Sequence, residues 1–157
     1  MKHRPAVPRP GEPVTVTAEL KNESDAGLSA TVYYRLSARN PDAFLGVPMR
    51  ADGGGKFSAT LPAQADGAVV EFYLASSDGT NTRTWPPSTD GAGTQGANLL
   101  YQVDDESYAG KQPVYRLILP VGEEIDFRPR NYNSGSNAQK NATFIVRQGT
   151  DFDVRYR

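Results

Sequence analysis

Three aromatic residues of this 157-residue chain have side chains that could bind a ligand. Trp85, which precedes two prolines, could form a platform for sugar rings together with Tyr33 and Tyr73. The face of an aromatic ring stacks on the apolar face of a sugar and gains dispersion and burial energy. The alternative interpretation is that Trp85 closes one end of a sandwich and that the tyrosines occupy half-buried strand faces, where aromatic residues are common.

Three aspartates that each precede a glycine are candidate calcium ligands: Asp52, Asp78 and Asp90. Hard carboxylate oxygens in tight turns can bind Ca²⁺. The alternating run of oxygen ligands that an EF-hand requires is missing from the sequence, however. Asp-Gly pairs are chiefly turn formers, because Asp bonds its own backbone and Gly accepts a positive φ. We therefore predict turns at these positions, with calcium binding as the alternative.

The patterns that would support catalysis are weak. Residues 104–106 and 123–126 contain neighbouring carboxylates, whereas a glycosidase needs two carboxyl groups that face each other across the scissile bond. Residues 53–55 are three glycines, but they lack the spacer and the Lys-Ser/Thr pair of a phosphate-binding loop. They predict a turn between two strands. The sequence thus predicts no catalytic residue and no cofactor.

The composition excludes several classes of site. The chain has no cysteine and one histidine, His3, which is predicted to be solvated in the proline-rich start; disulfides and thiolate chemistry are therefore excluded. The net charge is −1, and residues 104–157 hold eight basic and eight acidic residues. This balance lacks the basic excess that nucleic-acid binding needs. The apolar runs are too short to cross a bilayer, so we predict no membrane insertion.

Hydrophobic residues alternate with polar ones along much of the chain, which is the pattern of strands with one buried face. The runs that show it best are 14–20, 30–37, 56–61 and 69–76. With the shorter runs there are about seven strands between residues 13 and 103, and no helical pattern among them. The predicted fold is all-β: an immunoglobulin-like antiparallel β-sandwich followed by a β-rich segment.

We predict four segments along the chain. They are an extended proline-rich lead-in (1–12), the sandwich (13–103), a polar linker (104–112) and the β-rich segment (113–157). In the last segment, residues 114–120 have little polar face and predict a strand buried on both sides. A short helix or turn is predicted at 123–130, and a hairpin follows it, with strands at 142–146 and 152–156. Because an isolated hairpin is marginal in water, we expect this segment either to be partly folded alone or to cover an edge of the sandwich.

The first hundred residues resemble the immunoglobulin-like or fibronectin-like modules of large bacterial envelope and secreted proteins. The resemblance rests on five segments in this order: 13–18, 32–35, 47–49, 57–63 and 70–75. It implies a non-catalytic accessory module that lies outside the cell or in the cell envelope and spaces, docks or presents a neighbouring domain.

From Leu100 onward the chain resembles the beginning of a CotH-type, spore-coat kinase-like domain. The residues that carry this likeness are 101–105, 112–119, 141–146 and 153–156. In that family the nucleotide- and metal-binding residues follow further along, so the resemblance assigns no site residue here and implies that residues 113–157 are an incomplete N-terminal part. The implied partners are adjoining domains of the parent chain and a cell-surface protein or glycan. Two alternatives stay open: a carbohydrate-binding module that uses exposed aromatics, and the N-terminal fragment of an atypical protein kinase.

Overall fold

The computed structural model describes residues 1–21, 27–88, 95–107, 110, 112–123, 140–149 and 151–156. Within them the chain is all-β, as the sequence predicts, with twelve strands in three antiparallel sheets and no α-helix. The strands are β1 (Lys2–Arg4), β2 (Val14–Glu19), β3 (Ser29–Leu36), β4 (Leu45–Pro48), β5 (Arg50–Gly53), β6 (Lys56–Leu61), β7 (Val69–Ser77), β8 (Thr82–Trp85), β9 (Leu99–Gln102), β10 (Val114–Ile118), β11 (Thr143–Gln148) and β12 (Asp151–Tyr156). The predicted helix or turn at 123–130 lies, except for its first residue, outside the described residues.

The first sheet has the strand order β1-β2-β6-β5. In β2, the side chains of Val14, Val16 and Ala18 are buried and the polar residues between them are exposed. This confirms the alternation predicted for the strand. The register of β2 with β6 sets Val16 opposite Ala59. Because directly opposed residues share a face, both strands contribute side chains to the same layer of the core.

The second sheet is organised around β7, the longest strand. β3 pairs with one edge of β7, and the other edge is shared by two short strands. β8 pairs with the half of β7 that ends at Ser77, and β9 pairs with the half that begins at Val69. β4 pairs with the free edge of β3 and contains Pro48, as expected for an edge strand.

The main hydrophobic core lies between the first two sheets, which together form a β-sandwich. Its buried members lie on, or directly next to, strands of both sheets: Val14, Val16, Ala18, Ala30, Val32, Met49, Phe57, Ala59, Leu61, Val70, Phe72, Leu74, Leu99, Tyr101 and Val103. On β7 the core residues are Val70, Phe72 and Leu74, so the residues between them point to the opposite side of the second sheet. We call that side the outer face.

Strands β10, β11 and β12 form a third sheet in that order, and the hairpin predicted near the end of the chain is confirmed by β11 and β12. Ile118 and Ile145 of this sheet pack on Leu100 of β9 in a second, smaller core cluster. Leu100 lies opposite Glu71 of β7, which is an outer-face position. The third sheet therefore covers one end of the outer face of the second sheet.

The prediction that residues 114–120 form a strand buried on both faces is wrong. Ile118 is buried, but Tyr115 is 65% exposed and Leu117 is 58% exposed. One face of β10 packs towards β9, and the other, which carries these two side chains, is open to solvent. An apolar run without polar alternation indicates burial but does not reveal how many faces are covered.

The prediction that His3 is solvated is also wrong. The lead-in is extended, but its first residues pair with β2 and set His3 opposite the core residue Val16. The His3 side chain is therefore turned inward and is only 3% exposed. Its ring lies 5.4 to 5.8 Å from the rings of Phe72, Tyr101 and Tyr156. His3 is buried because β1 pairs with β2, and the position of the residue near the end of the chain did not suggest this pairing.

Candidate functional site

Two of the predicted ligand-binding residues, Tyr33 and Tyr73, lie side by side on the outer face. They are directly opposed in the register of β3 with β7, and their rings stack with 5.0 Å between centroids and 9° between planes. Phe44 contacts Tyr73 edge-on, with 4.9 Å between ring centroids. The guanidinium group of Arg35 lies 4.1 Å from the centre of the Phe44 ring. We call Tyr33, Tyr73 and Phe44 the aromatic surface.

A glycine in the neighbouring strand leaves space for the Tyr33 ring of the aromatic surface. Gly46 of β4 lies opposite Tyr33, and a Cβ atom at this position would be 3.0 Å from Cε1 of the Tyr33 ring. A side chain there would displace the ring, since real Cβ atoms rarely come so close. The two tyrosines remain half-buried rather than covered, and partial burial raises the pKa of Tyr73. The hydroxyl of Tyr73 is therefore neutral and able to donate a hydrogen bond at ordinary pH.

Trp85, the third predicted aromatic, is not part of this surface. Its partner in the register of β7 with β8 is Leu74, which points into the sandwich core. Because neighbouring residues of a strand point to opposite faces, Trp85 lies on the opposite side of the sheet from Tyr73. It is 53% exposed at the margin of the sandwich. The structure thus brings two of the three predicted residues together.

A buried carboxylate organises the polar groups next to the aromatic surface. Glu71, which is 4% exposed, accepts two hydrogen bonds from Arg35 at Oε2, from Nε at 3.0 Å and from Nη2 at 2.8 Å. Ser37 Oγ donates to Oε1 at 2.7 Å, and Asn98 Nδ2 donates to Oε2 at 3.2 Å. A buried charge is tolerated when it is paired and hydrogen-bonded in this way. The network therefore fixes Arg35 under the Phe44 ring.

Sequence reasoning missed this network. Arg35 and Glu71 are two positions from Tyr33 and Tyr73 respectively, so each shares a strand face with one of the tyrosines. That much could have been read from the alternation. The meeting of the two pairs depends on the register of β3 with β7, which spans more than thirty residues of intervening chain and leaves no local signal.

A cavity of about 480 Å³ opens beside Glu71, a size typical of small-molecule sites. Its lining includes six polar or charged residues: Arg35, Arg39, Glu71, Asn98, Glu123 and Asn141. We call it the polar pocket. Hydrogen bonds tie its two walls together: the Val121 N–H donates to Ser37 Oγ at 2.9 Å, and the Asn98 N–H donates to Asn141 Oδ1 at 3.2 Å.

Of the predicted calcium ligands, Asp78 lies at the turn between β7 and β8, as its Asp-Gly pair predicts, whereas Asp52 lies within strand β5, just before the turn that leads to β6. Asp78 Oδ1 accepts from the backbone N–H of Thr80 at 2.9 Å and of Asn81 at 2.7 Å, and these bonds lower the pKa of Asp78. A hydrogen bond from Ser58 lowers the pKa of Asp52, with a further contribution from Arg50.

The third candidate, Asp90, lies outside the described residues. In the part of the chain that the structure describes, no group of three His, Asp or Glu side chains is arranged to hold a metal ion. The carboxylates of Asp52 and Asp78 thus bond within their own hairpins.

No described segment forms a helix that is long and apolar enough to cross a membrane. No protein-family model matches the sequence, and no curated protein matches it.

A comparison with solved structures gives two matches of low structural similarity. One is the cycloalternan-forming enzyme from Listeria monocytogenes in complex with a pentasaccharide substrate, with a TM-score of 0.42 and 15% identity. The other is an uncharacterized protein from Listeria monocytogenes EGD-e in complex with α-D-glucose, β-D-glucose, magnesium and calcium, with a TM-score of 0.40 and 14% identity. Each match covers 99% of this chain and 18% of the other, so the chain spans less than a fifth of the length of these proteins.

Proposed function

We propose that this chain is a non-catalytic accessory module that binds a glycan at the aromatic surface, within a larger bacterial envelope or secreted protein. The observation that carries the proposal is the near-parallel stack of Tyr33 and Tyr73 on a sheet face. Phe44 lies edge-on against Tyr73 and adds apolar area beside the stack. Arg35 contacts the Phe44 ring and also lines the polar pocket, so the hydrogen-bonding groups of the pocket begin next to the aromatic surface. A sugar presents an apolar ring face and a rim of hydroxyls, and this surface offers a partner for each.

The rigidity of the site supports the proposal. Aromatic side chains have few rotatable bonds, and those of Tyr33 and Tyr73 are held by each other and by the sheet, so little conformational entropy is lost on binding. Arg35 is held by two hydrogen bonds to Glu71. Preorganised groups of this kind lower the entropic cost of binding a ligand.

The test compares three alanine variants on a glycan array and then by calorimetry with a glycan that the array identifies. Tyr33→Ala and Tyr73→Ala are expected to weaken binding about 5- to 30-fold, since truncating a central aromatic anchor costs roughly 1 to 2 kcal/mol. Trp85→Ala is the matched control, because this exposed aromatic lies on the other side of the sheet. The Trp85→Ala variant is expected to bind the glycan with the same affinity as the unsubstituted 157-residue chain.

A milder variant separates ring placement from ring loss. Gly46→Ala keeps every aromatic residue but pushes on the Tyr33 ring, and its affinity is expected to fall between the parent chain and Tyr33→Ala. Unchanged melting temperatures would show that the variants are folded. The proposal fails if no glycan binds, or if Trp85→Ala loses binding while the tyrosine variants keep it.

The accessory role next to a CotH-like domain is supported by the resemblance of residues 101–105 and 112–119 to the beginning of such domains. On this proposal the parent protein lies outside the cell or in its envelope, and any phosphotransfer belongs to residues that this chain does not contain. The 157-residue chain incubated with radiolabelled ATP and Mg²⁺ is expected to incorporate no phosphate. Incorporation into the chain or into a test protein would refute the non-catalytic assignment.

A further inference from the structure

We infer that Arg35 is the specificity-determining residue of the aromatic surface and that the glycan bound there is uncharged. Nη1 of Arg35 donates hydrogen bonds to a hydroxyl or ring oxygen of a neutral sugar, and the Glu71 carboxylate cancels the attraction of the guanidinium group for acidic sugars. The inference deepens the proposed function and rests on it, because it requires a sugar at the aromatic surface. It names the class of ligand as a neutral glycan.

The guanidinium group of Arg35 is held in place by three contacts. Its Nε and Nη2 donate to Glu71 Oε2 at 3.0 Å and 2.8 Å, and its carbon atom Cζ lies 4.1 Å from the centre of the Phe44 ring. Glu71 in turn accepts from Ser37 and Asn98. A planar group that is fixed before a ligand arrives loses little conformational entropy on binding it.

One nitrogen of this fixed group remains available to a ligand. Only Nε and Nη2 of Arg35 donate hydrogen bonds to the described residues, and both donate to Glu71. No nitrogen of Arg35 is among the polar atoms that are both buried and without a partner, and 22% of the side chain is exposed. The two N–H groups of Nη1 are therefore unpaired within the described residues and accessible from solvent.

Arg35 lies next to the rings on which the sugar is proposed to stack. It is two positions from Tyr33 on β3, so both residues point to the outer face, about 7 Å apart along the strand. This separation is comparable to the length of one sugar ring. A sugar that stacks on the aromatic surface therefore brings its rim of hydroxyls within reach of Nη1.

The charges around Arg35 select the class of sugar. Arg35 and Glu71 form an ion pair, with 2.8 Å between Nη2 and Oε2. The charged side chains that line the polar pocket beside this pair sum to zero: Arg35, Arg39, Glu71 and Glu123. A sugar carboxylate would lose hydration without meeting an uncompensated positive charge, whereas a hydroxyl or ring oxygen needs only a hydrogen-bond donor.

The experiment applies the intact chain to a glycan array that carries neutral glycans and their counterparts with a uronic acid. The parent chain is expected to bind neutral glycans, and to bind no uronic acid glycan more tightly than its neutral counterpart. Raising the salt concentration is expected to leave this binding unchanged, because salt screens interactions between charges.

Glu71→Gln tests the role of the charge. The variant keeps the length of the side chain and an acceptor for Arg35, but it leaves the guanidinium charge uncompensated. It is expected to bind a uronic acid glycan about fivefold more tightly than the neutral counterpart, and high salt is expected to erase this preference. Glu19→Gln is the matched control, because it removes one negative charge from an exposed residue of the first sheet; it should keep the selectivity of the parent chain.

Arg35→Lys tests the role of Nη1. Lysine keeps a positive charge beside Glu71 but lacks the second arm of the guanidinium fork. Its affinity for the best neutral glycan of the array, measured by calorimetry, is expected to fall about tenfold, as for the loss of a hydrogen bond from a charged donor. Arg50→Lys, at an exposed arginine of β5, is the matched control and should keep the parent affinity. Two-dimensional ¹H–¹⁵N NMR spectra establish that each variant is folded.

The outcomes distinguish this inference from the proposed function. The inference is overturned if the parent chain prefers uronic acid glycans, if folded Glu71→Gln gains no such preference, or if Arg35→Lys keeps the parent affinity. If Glu71→Gln does not fold, the first and third results decide. In each case a loss of binding in Tyr33→Ala and Tyr73→Ala would still support the aromatic surface. If no glycan binds to the parent chain, the proposed function itself falls.

Discussion

Mild acid is expected to destabilise this fold through the buried ring of His3. In the folded chain, Nε2 of His3 donates to the carbonyl oxygen of Ala6 at 3.1 Å, so the neutral ring carries its proton there and its Nδ1 accepts from the Tyr156 hydroxyl. Burial lowers the pKa of His3 from 6.5 to about 4. The side chains packed around the ring are the aromatic ones of Phe72, Tyr101 and Tyr156, and the removal of water by burial is the largest cause of the lowered pKa.

The sign and the size of the effect follow from linkage. Between the two pKa values the unfolded chain binds a proton that the folded chain does not, so the free energy of unfolding falls as the pH falls. The stabilisation is fully present above the unfolded pKa of 6.5. It is reduced by about 2 kcal/mol at pH 5 and by about 3 kcal/mol once the pH reaches the folded pKa. For a chain of this size, 2 kcal/mol is a large share of the total stability.

The assay is urea unfolding at pH 7 and pH 5, with the parent chain and His3→Gln compared. The glutamine variant is expected to be less stable at pH 7, because it loses ring contacts, but to lack the drop between the two pH values. Asp52, Asp78 and Asp104 all have lowered pKa values and titrate below this window. Since the sequence has one histidine, its ring signals can also be titrated directly by NMR. A pKa near 6.5, or an equal drop in both chains, would refute the reasoning.

Two further predictions concern backbone contacts. Gly55→Ala is expected to destabilise the chain by about 2 kcal/mol more than Gly54→Ala. Both glycines have a positive φ, but only a Cβ atom at Gly55 would collide with the Leu20 carbonyl oxygen. Equal urea midpoints for the two variants would contradict this prediction. Thr143→Val is expected to cost about 1 to 3 kcal/mol, because the buried Leu100 N–H loses the hydroxyl acceptor that lies 3.0 Å away. The exposed Thr60 of β6 provides the control, since Thr60→Val should change the unfolding free energy by less than about 0.5 kcal/mol; similar losses in both variants would argue against the buried bond.

The strands and their inward faces could be predicted from the sequence because alternation is a local property. In β2 the identity of each residue was enough to say that Val14 and Val16 are buried. Register is not local. The pairing of Tyr33 with Tyr73 and of Trp85 with Leu74 depends on how three distant strands align, and a shift by one residue would have reversed the two results. The sequence therefore identified the aromatic residues but could not choose which of them share a face.

The two errors in the predicted burial have the same origin. His3 is a polar residue near a terminus, and β10 is an apolar run, so residue type alone predicts exposure for the first and burial for the second. Both outcomes are decided by what packs against the strand. β1 is covered by the aromatic rings of β7, β9 and β12, whereas β10 packs on one side only. The segment that covers a strand lies far away in sequence in each case.

The outer face of β7 shows how one strand can serve three purposes. Val69, Glu71 and Tyr73 alternate along it, two positions apart, and therefore point to the same side. Val69 packs against the second core cluster, Glu71 anchors the polar network, and Tyr73 belongs to the aromatic surface.

Glu71 is connected to the segment that follows β10, since Ser37, which donates to its carboxylate, itself accepts from the Val121 N–H. Arg35 is in turn held by Glu71 beneath the Phe44 ring. The packing of the third sheet on β9 is thus connected, through one buried carboxylate, to the placement of the rings on which the proposed glycan site depends.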